Sequence, residues 1–237
     1  MNIDAKNKSY TEINAAIADS DDVLVSGCNG QRFIGAGTGG KKIEILGIPG
    51  NALGAYLNGS EITVKGNAQD AVGDTMNDGK IVVYGGVGDA VGYAMRGGSV
   101  YVKGNAGYRA GIHMKEYRDK KPVIVIGGTA GSFLGEYQAG GIIIVLGIGV
   151  KGEIVGDFCG TGMHGGKMLL RTDVPPKDLP EQVKCVKATV DDVKEISGYV
   201  KEFCRLFGQD EKEITDSDFY LLTPNSASPY KRLYVMN

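Results

Sequence analysis

The sequence predicts an all-β fold: a single-stranded, right-handed parallel β-helix of about seven 19-residue turns, with helical caps at its N- and C-terminal ends. Three observations predict it. Glycine recurs at a fixed interval, with Gly35, Gly54, Gly73, Gly92 and Gly111 each 19 residues apart and Gly47, Gly66, Gly85 and Gly104 keeping the same spacing. Each repeat places a short β-branched run before its glycine, and 19 residues are too few for a strand–helix–strand unit. Lastly, 36 of the 38 glycines lie between Gly27 and Gly166, so this span obeys one rule and the remainder of the chain another.

The elements follow in chain order. Residues 1–26 read as an N-terminal helical cap and first strand: in "SYTEINAAIAD", Ser9 and Glu12 have capping-box spacing and Ile13 and Ile17 share a helix face. Residues 27–173 are the coil. Counting four and two places back from each glycine gives Ile43, Ile62, Ile81, Val100, Val123, Ile143 and Ile45, Val64, Val83, Val102, Val125, Val145. All are β-branched and are expected to point into the bore. Glu44, Thr63, Val82, Tyr101, Ile124 and Ile144 alternate with them and are expected to face outward, where the apolar late members suit a protein contact. A second apolar ladder runs Ile34, Leu53, Val72, Val91, Ala110, Leu134, Val155. Turn glycines are expected where the backbone bends: Gly35, Gly54, Gly73, Gly92, Gly111, Gly135 and Gly156. The charged segment "KEYRDKK" (115–121) interrupts the period; four extra residues move the next members to Gly127 and Gly135, after which Gly147 and Gly156 follow. Residues 174–237 read as a proline-containing linker, a C-terminal helix over 189–208 that opens on Thr189 and Asp192, and an extended tail from Thr223.

Composition narrows the function. A net charge of −2 with no basic stripe argues against nucleic acid and anionic membrane as partners. The longest apolar run, "IIIVLGIGV", is far too short to span a bilayer, and a cytoplasmic location is expected. Cys28, Cys159, Cys185 and Cys204 form no C-x-x-C pair and read as free, mostly buried thiols. G-x-G-x-x-G occurs at Gly35/Gly37/Gly40, Gly147/Gly149/Gly152 and Gly160/Gly162/Gly165, but strands follow each where a dinucleotide site needs a helix. His113 and His164 lie about two turns apart, which speaks against a metal pair, and Met76, Met95 and Met114 form a core column. No catalytic, cofactor-binding or metal residue is assigned.

At "GCNGQRF", with Gly27, Gly30, Gln31 and Phe33, and through the corner glycines to "GEYQAGGIIIVLG" and "GTGMHGG", the sequence resembles the C-terminal GXGXG domain of the glutamate synthase large subunit, in the archaeal arrangement where that domain is a separate chain. A similar glycine repeat occurs in one of the subunits of formylmethanofuran dehydrogenase. The resemblance implies a structural part of an oxidoreductase, with no active site or cofactor of its own. It would fix a glutaminase-type amidotransferase subunit relative to an FMN-binding synthase subunit, which would carry FMN and an iron–sulfur cluster, for the conversion of L-glutamine and 2-oxoglutarate into two L-glutamate. A homo-oligomer stays open. The rivals are a scaffold subunit of a formylmethanofuran dehydrogenase-like complex and an independent carbohydrate-active β-helix.

Overall fold

A 19-residue repeat of β-branched strands dictates parallel pairing in 19-residue register. The structure, a computed structural model that describes residues 1–225, follows that register: Ile43 pairs with Ile62, Ile62 with Ile81, and Ile81 with Val100. After β1 (Asn2–Asp4) and α1 (Tyr10–Ala18), the parallel strands are β2 (Asp22–Asn29), β3 (Lys42–Ile48), β4 (Asn58–Val64), β5 (Asp78–Val83), β6 (Ser99–Val102), β7 (Val123–Ile126), β8 (Ala139–Val145) and β9 (Gly165–Arg171). Next come β10 (Val183–Lys187), α2 (Val190–Phe207), α3 (Glu211–Thr215) and β11 (Phe219–Pro224). The described strands form one sheet in the order β1-β2-β3-β4-β5-β6-β7-β8-β9-β11-β10, antiparallel only where β11 meets β9 and β10. Five successive turns also carry a short second ladder, Ala68–Val87–Ala106–Ala130–Val155.

Aliphatic columns fill the bore. Ile34, Leu53, Val72 and Val91 are completely buried, as are Leu57, Met76, Met95 and Met114 in the next column. Such burial contributes roughly 1.5–3 kcal/mol per large side chain. Outside, corner side chains complete the rungs: Asp70 Oδ1 accepts from Asp89 N (3.0 Å) and Asp89 Oδ1 from Tyr108 N (2.8 Å), each one repeat along. These short polar groups satisfy N–H donors that the strand ladder does not reach.

The register differs from the sequence expectation after the interruption. Ile124 and Ile126 pair with Val100 and Val102 and line the bore, whereas Val123 and Val125 face outward. The insertion therefore amounts to five residues, and the glycine equivalent to Gly104 is Gly128 rather than Gly127, with Gly128 N donating to Gly104 O at 2.9 Å. The last turn is displaced too. Gly160 N donates to Leu134 O as Gly135 N does to Ala110 O (2.8 Å each), so Gly160 is the corner glycine and Cys159 completes the apolar column assigned to Val155. Gly156 lacks the positive φ of the other corner glycines; it stands one step after Val155 in the short second ladder. The physical reason is shared. "VIVI" is apolar at every position because both of its faces are buried, so alternation cannot fix its phase.

The outer burial comes from the chain itself. Ile196, Val200, Phe203 and Phe207 of α2 cover Val82, Tyr101, Val123, Val125, Ile142, Ile144 and Leu169, so of the late apolar positions expected to meet another protein Val82, Tyr101 and Ile144 meet this helix, while Ile124 turns into the bore. Helix α1 caps as expected, with Ser9 and Glu12 in a reciprocal capping box and Ile13 and Ile17 fully buried. Helix α2 has its Thr189–Asp192 box and a left-handed Gly208 stop, but it lies on the flank. Strands β11 and β10 instead extend the sheet beyond β9. From Ser226 on, the tail lies outside the described residues.

Candidate protein-interaction surface

Each corner bends through left-handed residues two before the glycine, at the glycine, and two after it. Gly35, Gly54, Gly73, Gly92, Gly111 and Gly135 hold φ between +63° and +71°. The flanking positions are left-handed as well, yet they often carry large side chains: Phe33, Arg109, Phe133 and Phe158 before the glycine, and Tyr56, His113 and Tyr137 after it. Gly37 and Gly162 show that glycine serves in the latter column. An L-residue in this conformation costs about 1–2 kcal/mol, and residues held there at such a cost cluster at functional sites.

In the later turns these side chains assemble. The His113 ring stacks on Tyr137 (centroids 5.1 Å apart, 11° between planes) and meets Tyr93 edge-on at 6.0 Å. Phe133 stacks on Phe158 at 4.9 Å, and the Arg109 guanidinium lies 4.7 Å over Phe133. Arg109 Nε donates to Glu136 Oε2 at 3.0 Å, with the Glu136 side chain only 12% exposed. Tyr93 is 40% and Phe158 53% exposed. Rings held edge-on, stacked and beneath a guanidinium are worth roughly 0.5–1.5 kcal/mol each, and together they form a preorganised surface of the kind that anchors protein contacts.

The hairpin of residues 115–121 stands beside it, with Tyr117 bridging to Lys120. Several of its charges are used internally: Lys120 Nζ donates to Asp78 Oδ2 (2.8 Å), and Glu116 Oε1 accepts from Gly141 N (3.1 Å). His113 lies just before this hairpin in the chain. Sequence reasoning singled out both but missed Arg109, Phe133, Glu136, Tyr137 and Phe158. The signal was present: each lies at a fixed offset from a corner glycine, Arg109 from Gly111, Phe133, Glu136 and Tyr137 from Gly135, and Phe158 from Gly160 once the last corner is placed there.

The other singled-out residues serve the scaffold. Gln31 accepts from Asn29 N (2.6 Å) and donates to Ala5 O (2.9 Å), tying the first coil to the N-terminal segment. Phe33 O accepts from Asn14 Nδ2 (2.8 Å), whose Oδ1 accepts from Gly35 N (2.8 Å), while the Phe33 ring leans on Tyr10 at 5.5 Å. Gly27 and Gly30 supply positive φ around this junction. His164 Nδ1 lies 3.1 Å from Gly162 O. Burial pushes the Cys28 thiol up to about 11 and the Cys159 thiol up to about 12, which keeps both protonated and unreactive at neutral pH. Among the described residues no three His, Cys, Asp or Glu side chains gather to hold a metal, and no helix is long and apolar enough to cross a membrane.

Comparison with known proteins agrees with this architecture. The family model described as the GXGXG motif matches residues 4–223. An uncharacterized protein of Methanocaldococcus jannaschii, MJ1350, is 44% identical over 248 residues, covering 98% of this chain and 95% of that protein. Among solved structures, the fold is similar to a chain of the formyltransferase/hydrolase complex FhcABCD from Methylorubrum extorquens in complex with methylofuran. That likeness has a TM-score of 0.65 at 22% identity and spans 85% of this chain and 73% of that one.

Proposed function

The chain belongs to the GXGXG motif family, and from that premise we propose that it is a non-catalytic scaffold subunit of a multi-subunit oxidoreductase-type assembly. One observation carries the reading: bulky rings and an arginine sit, largely exposed, at left-handed positions that glycine would fill without strain. They add little to the bore, so what they offer is a rigid contact surface. A solenoid filled by aliphatic columns holds that surface at a fixed distance from its other flanks, and fixed geometry raises the effective concentration of groups carried by bound partners.

Two assemblies fit such a subunit. The structural relative belongs to a formyltransferase/hydrolase complex holding methylofuran, which favours a formylmethanofuran dehydrogenase-like assembly. The opening motif Gly27, Gly30, Gln31 and Phe33 favours the second reading, a glutamate synthase in which glutaminase and FMN-synthase subunits flank this chain.

Affinity isolation of the tagged chain from its native host, with mass-spectrometric identification of its companions, tests both. Formyltransferase- or dehydrogenase-type subunits support the first assembly, and amidotransferase and FMN-synthase subunits the second. Recovery of the chain alone refutes the scaffold reading.

A further inference from the structure

Two stacked cations beside the aromatic corner define its partner further; the inference rests on the scaffold reading. Arg96 and Lys115 occupy one column on adjacent turns, Arg96 N donating to Met76 O (2.8 Å) and Lys115 N to Met95 O (3.0 Å). Successive rungs are about 4.8 Å apart, and like charges so placed repel. Both side chains are exposed, and among the described residues neither forms an ion pair. Nearby, the Arg118 guanidinium lies 5.2 Å over the Tyr117 ring. Of the carboxylates around this corner, Glu136 is paired with Arg109 and Asp78 with Lys120, while Glu116, which accepts from Gly141 N, and Asp119 keep their charge. Two exposed cations without an ion-pair partner among the described residues, Arg96 and Lys115, thus stand beside exposed rings in a chain of net charge −2.

We propose that this corner binds an acidic segment of a partner protein, whose carboxylates meet Arg96 and Lys115 while its apolar side chains lie against Tyr93 and His113. A nucleic acid fits less well. Phosphate backbones need a broad basic field, whereas this patch is small and the chain as a whole is anionic.

The test uses the assembly isolated from the native host, carrying photoreactive benzoylphenylalanine in place of His113 or, as a control on an early turn of the same corner, in place of Tyr56. Irradiation is expected to join position 113 to a partner peptide rich in Asp and Glu, and position 56 to none. In parallel, the R96E/K115E double variant is expected to lower partner recovery at least about tenfold while unfolding at the same midpoint as the native chain. An intact assembly with no adduct from 113, an adduct to a peptide without carboxylates or to nucleic acid, or full recovery of partners by R96E/K115E overturns the inference and leaves the scaffold reading standing. A chain isolated without companions removes both.

Discussion

Two glycines of neighbouring corners separate backbone conformation from packing. Gly37 and Gly54 are both left-handed, with φ of +69° and +63°. Among the described residues a Cβ added to Gly37 meets nothing within 4 Å, and Tyr56 already occupies the same column one turn on at φ +57°. A Cβ added to Gly54 lands 2.7 Å from Ile81 Cδ1 and 3.1 Å from Ile62 Cδ1, both side chains being fully buried in the bore. Gly37→Ala therefore loses only the conformational term, about 1 kcal/mol. Gly54→Ala loses that term plus about 1–3 kcal/mol of overpacking, because filled columns leave Ile81 little room to retreat. The expected totals are about 1 and about 2–4 kcal/mol, read from urea titrations as the shift in midpoint at constant slope. In a chain of this size each kcal/mol corresponds to about 2–4 °C in Tm. Equal losses would refute a bore packed as described, and a larger loss at Gly37 would refute an open outer corner.

Other outcomes follow from single contacts. Phe203 is 1% exposed, and its Cζ lies 2.7 Å from where a Cβ on Gly127 would stand. Phe203→Ala should cost about 3–5 kcal/mol and open residues 190–215 to proteolysis while the parallel strands stay protected. Gln138 interrupts the methionine column: Nε2 donates to Gly140 O (3.2 Å), Gly141 O (3.1 Å) and Lys167 O (3.4 Å), and its buried Oε1 has no hydrogen-bond partner among the described residues. Gln138→Met, although it restores the residue type of the column, should lose about 1–3 kcal/mol in urea unfolding, because those buried carbonyls lose their donor. Hydrogen bonds from Arg205, then Lys80, hold the Glu202 carboxyl down to about 2 from its ordinary 4.5. A depressed carboxylate stabilises the fold above its unfolded pKa and loses that contribution as pH falls toward its folded one. The urea midpoint of Glu202→Gln should thus lie below that of the native chain at pH 7, and the gap should close between about pH 4.5 and about pH 2.

The sequence by itself determined the parallel coil, its regular early turns, the capping boxes of α1 and α2, and the bore columns from Ile34 to Met114. Each depends on local chemistry repeated at a constant interval, and repetition states the contacts outright: a residue lies over its counterpart 19 places on. Tertiary structure decided what the repeat could not encode. It set the phase of "VIVI" and moved the last corner from Gly156 to Gly160, because adjacent glycines and a strand buried on both faces satisfy either register in one dimension. It laid α2 along the flank and ended the sheet with β11 and β10, pairings between segments that share no period. It also brought Arg109, His113, Phe133, Glu136, Tyr137 and Phe158 into one surface. Their proximity depends on how many residues the hairpin and the last loop insert, and an insertion's length fixes the stacking only once the chain has coiled past it.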